Sequence, residues 1–191
     1  NEGKWLIPNS KTTTQYFQEN NLSILGLSAQ NHLEILEVLN DEIGMTHTKY
    51  QQFYKGYPVE GAIVILHEKN GFITSINGHW VKDFNGNFNS SVAFKQALEA
   101  AKKEVPADNY YWEIPEMENM LKRKEKDASA TFYPSPTLVL ASKSFSNSAK
   151  DYALNYKLDI YGDGKHNHKT VYVNATDASI DFSLEQCHDG A

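Results

Sequence analysis

The chain has 191 residues, of which 40% are apolar, 22% are charged and 12% are aromatic, and its formal net charge is −6. Since a domain usually holds about 100–150 residues, this length predicts one large domain or two small ones. The composition argues against a disordered chain, and the acidic balance gives no electrostatic reason to bind nucleic acid or an anionic membrane. No window approaches the ~20 apolar residues of a membrane span.

The first half of the chain predicts a short helix and an antiparallel meander. Residues 12–20 are typical of a helix, with Tyr16 and Phe17 packing on the sheet, while residues 33–39 fit either a helix or a strand. Strands are predicted around residues 48–54, 59–67 and 72–76. Tight turns are predicted at Gly56-Tyr57-Pro58, Asn70-Gly71, Asn77-Gly78 and Asn85-Gly86.

The second half opens with the clearest helix of the chain. An apolar stripe at helical spacing predicts it, with Ser90 or Ser91 as the N-cap and Pro106 as the stop. The stripe consists of Phe94, Leu98, Ala101 and Val105. Strands are then predicted at residues 151–161, 170–175 and 179–184. The sequence therefore predicts an α+β fold of two small tandem units, each an antiparallel sheet with a packed helix. The boundary between the two units is predicted near residue 88.

No motif in the sequence supports an enzyme, and no cofactor is predicted. A zinc peptidase would show two histidines one helical turn apart with a glutamate between them, and His67-Glu68 has no second histidine at that spacing. His166 and His168 are two residues apart, so on a strand their side chains would share one face, beside Asp163. We favour an exposed polar hairpin loop there over a metal site, and predict no metal. The weakly basic run of residues 122–127 is interpreted as a solvated surface.

The ends of the chain carry two further signals. It begins at Asn1 rather than Met and shows no signal peptide, so we interpret it as a processed or excised piece whose targeting segment is missing. Cys187 is the one cysteine, which excludes a disulfide within the chain. Cys187 can be interpreted in three ways: as an unpaired small residue, as a disulfide partner of another chain or domain, or as a thiolate ligand of a metal.

Residues 44–67 read GMTHTKYQQFYKGYPVEGAIVILH, and this segment resembles the core of the fungalysin–thermolysin propeptide domain. The family pattern places Thr-His, a basic residue, Tyr-x-Gln and Tyr-x-Gly-x-Pro-Val-x-Gly in this order. The matching positions that we take as mainly structural are His47, Tyr50, Gln52, Tyr54, Gly56, Pro58 and Gly61. Lys49 stands where arginine is more usual. The resemblance favours a strand for residues 33–39.

The second half more loosely resembles a PepSY domain, the usual companion of that propeptide domain in thermolysin-like metallopeptidase precursors. The helix and strands fall in the expected order. The family's closing Val-Asp-Ala-x-x-Gly pattern is present only in part, because Asn174 replaces the aspartate and Ala178 replaces the glycine. The resemblance implies a propeptide-like domain at residues 1–88, a PepSY-like domain at 89–184 and a junction tail at 185–191.

The family implies a function as well as a fold. Such propeptides assist the folding of a secreted zinc metallopeptidase and keep its catalytic domain, their partner, inactive until cleavage. In the family the junction with the protease lies in the tail. The tail residues expected to contact the protease or to be processed are Gln186, Cys187, His188, Asp189, Gly190 and Ala191.

Two other functions remain open at the level of the sequence. The first is a free-standing secreted binding protein of the same fold that inhibits a protease in trans. The second is an enzyme that uses a metal held by His166 and His168. A downstream HExxH motif in the same reading frame would favour the propeptide, and a stop codon would favour the free-standing inhibitor.

Overall fold

The computed structural model describes residues 4–8, 12–86, 88–145, 148–164 and 168–186. The chain divides into two compact units. The first comprises residues 1–87 together with 140–152, and the second comprises residues 88–139 and 153–191. The predicted α+β class is confirmed, since both helices and a large amount of sheet are present. The division into two contiguous tandem domains at residue 88 stays a prediction.

The first unit is an antiparallel sheet covered by one helix. Its strands are hydrogen-bonded in the order β2, β3, β4, β5, β1, so the predicted meander and the predicted strand at residues 33–39 are confirmed. A further strand, β6 (Thr137–Ser142), contributes Leu140, which pairs in parallel with Val59. The elements are β1 (Lys4–Leu6), α1 (Thr14–Leu25), β2 (Asn31–Asn40), β3 (Met45–Tyr54), β4 (Tyr57–Lys69) and β5 (Phe72–Gly78).

Two of the predicted turns form and two do not. Lys55-Gly56 and Asn70-Gly71 each connect adjacent strands with both residues at positive φ, as two-residue hairpins require. Asn77-Gly78 was expected to turn, but Gly78 ends β5 and pairs with both β1 and β4. A Cβ at this position would lie 2.1 Å from the carbonyl oxygen of Ile63, so Gly78 permits close strand approach. Asn85-Gly86 lies in a segment without strands.

Helix α1 covers the sheet of the first unit. Thr13 caps it, because its hydroxyl accepts a hydrogen bond from the Tyr16 backbone N–H at 3.1 Å. Phe17 is fully buried, whereas Tyr16 is 53% exposed, so the prediction that both pack on the sheet is wrong for Tyr16. Consecutive helical side chains point about 100° apart, so Tyr16 can lie outside the face of α1 that buries Phe17. The buried core comprises Phe17, Leu25, Leu27, Tyr50, Val64, Leu66, Ile73, Ile76 and Trp80.

The second unit packs a helix against antiparallel strands that pair in the order β7, β8, β9. Helix α2 lies against β8 and β9 and buries Ala97, Leu98 and Ala101, as its apolar stripe predicts. A second helix, α3, begins at Pro115, in a region for which the sequence predicted no element. The elements are α2 (Phe94–Glu104), α3 (Pro115–Glu125), β7 (Tyr152–Tyr161), β8 (His168–Asn174) and β9 (Ile180–Glu185).

The predicted serine cap of α2 is wrong. Ala93 occupies the N-cap position, and its backbone N–H is satisfied by the side-chain carbonyl of Gln96 at 3.1 Å. The Ser91 hydroxyl instead donates to the Thr176 carbonyl at 2.8 Å, which ties the entry to the helix to the turn after β8. Ser90 likewise donates to a backbone carbonyl, that of Val92. The two serines lie two and three residues before Ala93, so their hydroxyls are not at the N-cap position.

Candidate functional site

The family-motif residues lie on β3, on β4 and in the turn between them. Gln52 is fully buried and forms the centre of a polar network. Its side-chain NH2 group donates to the side-chain oxygen of Asn31 at 2.7 Å and to the backbone carbonyl of Val81 at 2.8 Å. Its side-chain carbonyl accepts a hydrogen bond from the backbone N–H of Val81 at 2.8 Å. Because a buried polar group is costly without partners, this network fixes the segment after β5 against β2 and β3.

The two motif tyrosines, Tyr50 and Tyr54, lie on the same face of β3. The Tyr54 hydroxyl lies 2.8 Å from the side-chain oxygen of Gln30 and 3.1 Å from the Phe84 carbonyl oxygen, two acceptors that share its single hydrogen. Tyr50 packs against Phe17 of α1, and burial, followed by the charge of Glu68, raises the pKa of its phenol. These tyrosines therefore anchor the helix and the segment after β5 to the sheet.

Gly56, Pro58 and Gly61 shape the start of β4. Gly56 forms the hairpin turn, and Pro58 pairs with Phe53 directly after it. Gly61, at φ 73°, lies in the irregular stretch where the register between β3 and β4 shifts. The amide of Gln51 bridges this stretch, donating to the carbonyls of Val59 at 2.7 Å and Ala62 at 3.2 Å, so the bulge is hydrogen-bonded rather than loose.

His47 belongs to a chain of polar contacts on the opposite face of the sheet. Its Nδ1 lies 2.6 Å from Nδ1 of His67, the residue directly opposite on β4. Its Nε2 lies 3.1 Å from Asp41, and Nε2 of His67 lies 3.0 Å from the side-chain oxygen of Asn77. Hydrogen bonds from the Met45 backbone N–H, and then from His47, lower the pKa of Asp41. The arrangement links the β2–β3 turn to β4 and β5.

A cluster of exposed aliphatic side chains lies on β2 and the turn after it. The aliphatic edge, as we call residues 35–43, carries five side chains that are 45–68% exposed. These are Ile35, Leu36, Val38, Leu39 and Ile43. Strand β2 pairs with β3 on one side, and no strand within the described ranges pairs with its other side. The first unit therefore presents an open strand edge flanked by apolar groups, a feature typical of interaction surfaces.

Of the predicted tail, Gln186 lies within the described residues, and Cys187, His188, Asp189, Gly190 and Ala191 lie outside them. The backbone N–H of Gln186 donates to the His168 carbonyl at 2.9 Å, and its amide donates to both Asp159 and Thr170 at 2.9 Å. The Thr170 hydroxyl also donates to Asp159 at 2.6 Å. These contacts fix the direction in which the chain leaves β9.

The histidine pair considered as a metal site is described only in part, because His166 lies outside the described residues. Asp163 accepts hydrogen bonds from the Asn109 side chain and from the backbone N–H groups of Asp108 and Asn109, contacts that lower its pKa. His168 packs edge-to-face on Tyr111, with ring centroids 4.9 Å apart. Within the described ranges, no three His, Cys, Asp or Glu side chains are placed to hold a metal ion. No helix described is long and apolar enough to cross a membrane.

Sequence reasoning did not identify the aliphatic edge or the partners of His47. For residues 33–39 the pattern fitted either a helix or a strand, and the exposure of their side chains was not predicted. The glutamates that interrupt the run, Glu34 and Glu37, were the available signal that this strand is accessible. The His47–His67 contact depends on the register of β3 and β4, which the individual strand patterns do not specify.

Residues 31–79 match a family model described as the Fungalysin/Thermolysin Propeptide Motif. The match begins at the first residue of β2 and ends just after β5, and so includes every motif residue described above. The resemblance of residues 44–67 to this family is thereby confirmed. The matched model describes a propeptide segment rather than a catalytic domain.

Curated relatives agree with the family match. Over 91 residues, the chain is 31% identical to thermolysins of Alicyclobacillus acidocaldarius subsp. acidocaldarius and Bacillus caldolyticus. Each alignment covers 46% of this chain and 17% of the relative, so the chain spans a small part of the length of these proteins. The similarity is thus to one segment of proteins named thermolysin.

Among solved structures, the Bacillus megaterium YpeB C-terminal domain is similar to this chain with a TM-score of 0.39 and 10% sequence identity. The superposition covers 96% of this chain and 72% of that structure.

Proposed function

We propose that this chain is the prodomain of a secreted, thermolysin-like zinc metallopeptidase, which assists the folding of the catalytic domain and blocks its active site until cleavage. The observation that carries the proposal is the propeptide match at residues 31–79, within which Gln52, Tyr54 and His47 hold one connected scaffold. The partner is the zinc metallopeptidase catalytic domain, and the chain itself performs no catalysis.

A prodomain of this kind needs a rigid surface that fits the folding enzyme. The buried Gln52 network and the Tyr54 contacts supply rigidity, because each connects sequence-distant segments of the first unit through satisfied hydrogen bonds. A preorganised surface binds with less loss of conformational entropy than a flexible one. This rigidity supports a role as a folding template.

A prodomain also needs a segment that reaches the active-site cleft. We propose that residues 1–88 form the propeptide-like domain, that residues 89–184 form a PepSY-like domain, and that, in the junction tail at 185–191, the residues after Gln186 enter the cleft. The contacts of Gln186 with Asp159 and Thr170 support this role of the tail, because they hold its base on β7 and β8. Residues that follow a fixed base enter a cleft at a defined position.

A refolding experiment tests the proposal. A thermolysin-like catalytic domain is denatured in guanidinium and diluted into buffer with this chain, with serum albumin at equal concentration, or alone. We expect the yield of folded catalytic domain to be higher in the sample with this chain than in the other two samples. We expect enzyme activity to appear only after the chain has been digested. Equal yields in the three samples would contradict the folding role.

The gene separates the prodomain from a free-standing inhibitor. The codons downstream of Ala191 should continue in frame into a catalytic domain with an HExxH zinc motif and a third zinc ligand. A stop codon directly after the codon for Ala191 would show instead that the protein acts in trans.

A further inference from the structure

The aliphatic edge exposes apolar groups on both faces of its strand. Cross-strand partners share a face of a sheet, so Ile35 and Val38 lie on the face of their partners Tyr50 and Thr48, the face that α1 covers elsewhere. Leu39 lies on the opposite face, beside His47. The bulge at Leu36, which has no partner on β3, produces this change of face.

The backbone of the same strand is open on one side. Strand β2 is paired with β3 from Asn31 to Asn40, and within the described part of the chain no strand covers its outer side. Soluble proteins usually protect such an edge with short strands, charges, bulges or a covering loop. Strand β2 has a bulge at Leu36 and two glutamates, but it also has ten residues of open edge and is flanked by five exposed aliphatic side chains, which give it the geometry of a strand-addition site.

The charges around this edge indicate the chemistry of its partner. Four carboxylates lie in residues 34–42, and no lysine or arginine occurs between residues 33 and 48. Lys49 on β3 is paired with Glu37 at 2.7 Å, and His32 and His47 lie 3.1 Å from Glu34 and Asp41. The carboxylates are Glu34, Glu37, Asp41 and Glu42. An anionic lipid surface would be repelled, and two copies paired through this edge would place glutamates against one another.

We propose that the aliphatic edge of β2 is the docking surface for the catalytic domain of the protease, which adds an extended strand carrying aliphatic and basic side chains. This inference rests on the proposed function. The exposed aliphatic side chains supply the apolar contact, the open backbone supplies hydrogen bonds, and the carboxylates select a basic partner. The motif residues of β3 and β4 then act indirectly, by holding β2 in place.

The test compares variants of the full chain as inhibitors of the thermolysin-like catalytic domain. The first is Ile35→Thr/Val38→Thr/Leu39→Thr, in which threonine retains strand propensity and removes apolar area. The control is Ile7→Thr/Met120→Gln, which changes exposed apolar residues outside β2. We expect at least a tenfold rise in the inhibition constant for the triple variant, no change for the control, and weaker binding by the wild type as salt rises from 0.05 to 0.5 M.

Hydrogen exchange on the wild-type chain tests the same proposal without a substitution. Strand addition predicts that the backbone amides of residues 33–40 that point away from β3 become protected when the catalytic domain binds. The wild type and the triple variant could inhibit equally while the exchange of these amides stays unchanged on binding. That result would contradict the docking surface and leave the prodomain function intact. A wild-type chain that neither binds nor inhibits the catalytic domain would contradict both the docking surface and the prodomain function. A dimer of the free chain that buries residues 33–40, or binding to anionic vesicles, would also contradict the proposal.

Discussion

Nδ1 of His47 lies 2.6 Å from Nδ1 of His67, although the two residues are 20 positions apart in the chain. Only one of the two facing nitrogens can carry the hydrogen, so one ring donates to the other. Each ring then contacts a further polar side chain, Asp41 beyond His47 and Asn77 beyond His67. The motif histidine thus connects three strands and the β2–β3 turn by side-chain contacts.

Replacing His67 with leucine should lower the free energy of unfolding by about 1–2 kcal/mol, because the half-buried His47 and Asn77 both lose a hydrogen-bond partner. Urea denaturation at pH 7.5 measures this loss. Gln15→Ala, which removes one exposed contact with Glu19, is the matched control and should change the stability by less than about 0.5 kcal/mol. A His67→Leu variant as stable as the control would show that the histidine contact contributes nothing.

His79 gives the stability of the first unit a pH dependence. Burial, and then the positive charge of Lys4, lower the pKa of His79 below its usual value of 6.5. As the pH falls through 6.5, the unfolded chain takes up a proton that folded His79 still rejects, so the free energy of unfolding decreases. Above that pH the stabilisation by neutral His79 is fully present.

His79→Gln should therefore reduce the loss of stability between pH 7.5 and pH 5.5, as measured by urea denaturation at both values. Lys4→Gln should reduce it to a smaller extent, since it removes the second cause of the lowered pKa and leaves the burial unchanged. The same pH dependence in His79→Gln as in the wild type would exclude His79 as the source.

Ala178 occupies the position at which the PepSY pattern carries glycine, and its φ is 62°. An L-residue with a Cβ is strained in this left-handed region, whereas glycine is not. Ala178→Gly should therefore raise the free energy of unfolding by about 1 kcal/mol. Ala100→Gly, inside α2, should lower it by a similar amount. Thermal unfolding of both variants checks the opposite signs, and destabilisation by Ala178→Gly would contradict the strain.

Removing residues 187–191 should weaken inhibition of a thermolysin-like catalytic domain at least tenfold while leaving the thermal midpoint unchanged. The contacts of Gln186 with Asp159 and Thr170 remain in the shortened chain, so its fold is retained. Enzyme inhibition and circular dichroism measured on the same preparation separate the two effects. Full potency of the shortened chain would refute a role for the tail.

Elements with strong local periodicity could be predicted from the sequence. The apolar stripe of α2 and the alternation in β7 report burial on one face, and the structure buries Leu98 and Leu158 accordingly. Helix α3 was missed because its apolar side chains form no buried stripe, and none of its residues is buried. Strand β6 was missed because proline and serine residues precede it and leave a run of only six residues.

The candidate sites depended on long-range relationships, which the sequence does not display. Gln52 contacts the Val81 backbone 29 positions away, and a backbone partner leaves no trace in residue identity. The apolar run at residues 33–39 fitted a helix or a strand, and its edge position in the sheet, which leaves Ile35 and Leu39 exposed, could not be read from that pattern. Strand order, rather than strand pattern, therefore distinguishes a core strand from an interaction surface.

Steady-state kinetics of a thermolysin-like catalytic domain with a short peptide substrate shows whether this chain occupies the active-site cleft. With increasing amounts of this chain, we expect competitive inhibition, in which the apparent KM rises and kcat is unchanged, because chain and substrate compete for one cleft. A small zinc-chelating inhibitor should displace the tail and weaken the binding of the chain. Undiminished activity at a large excess of the chain, or a fall in kcat at constant KM, would show that the chain does not block the cleft.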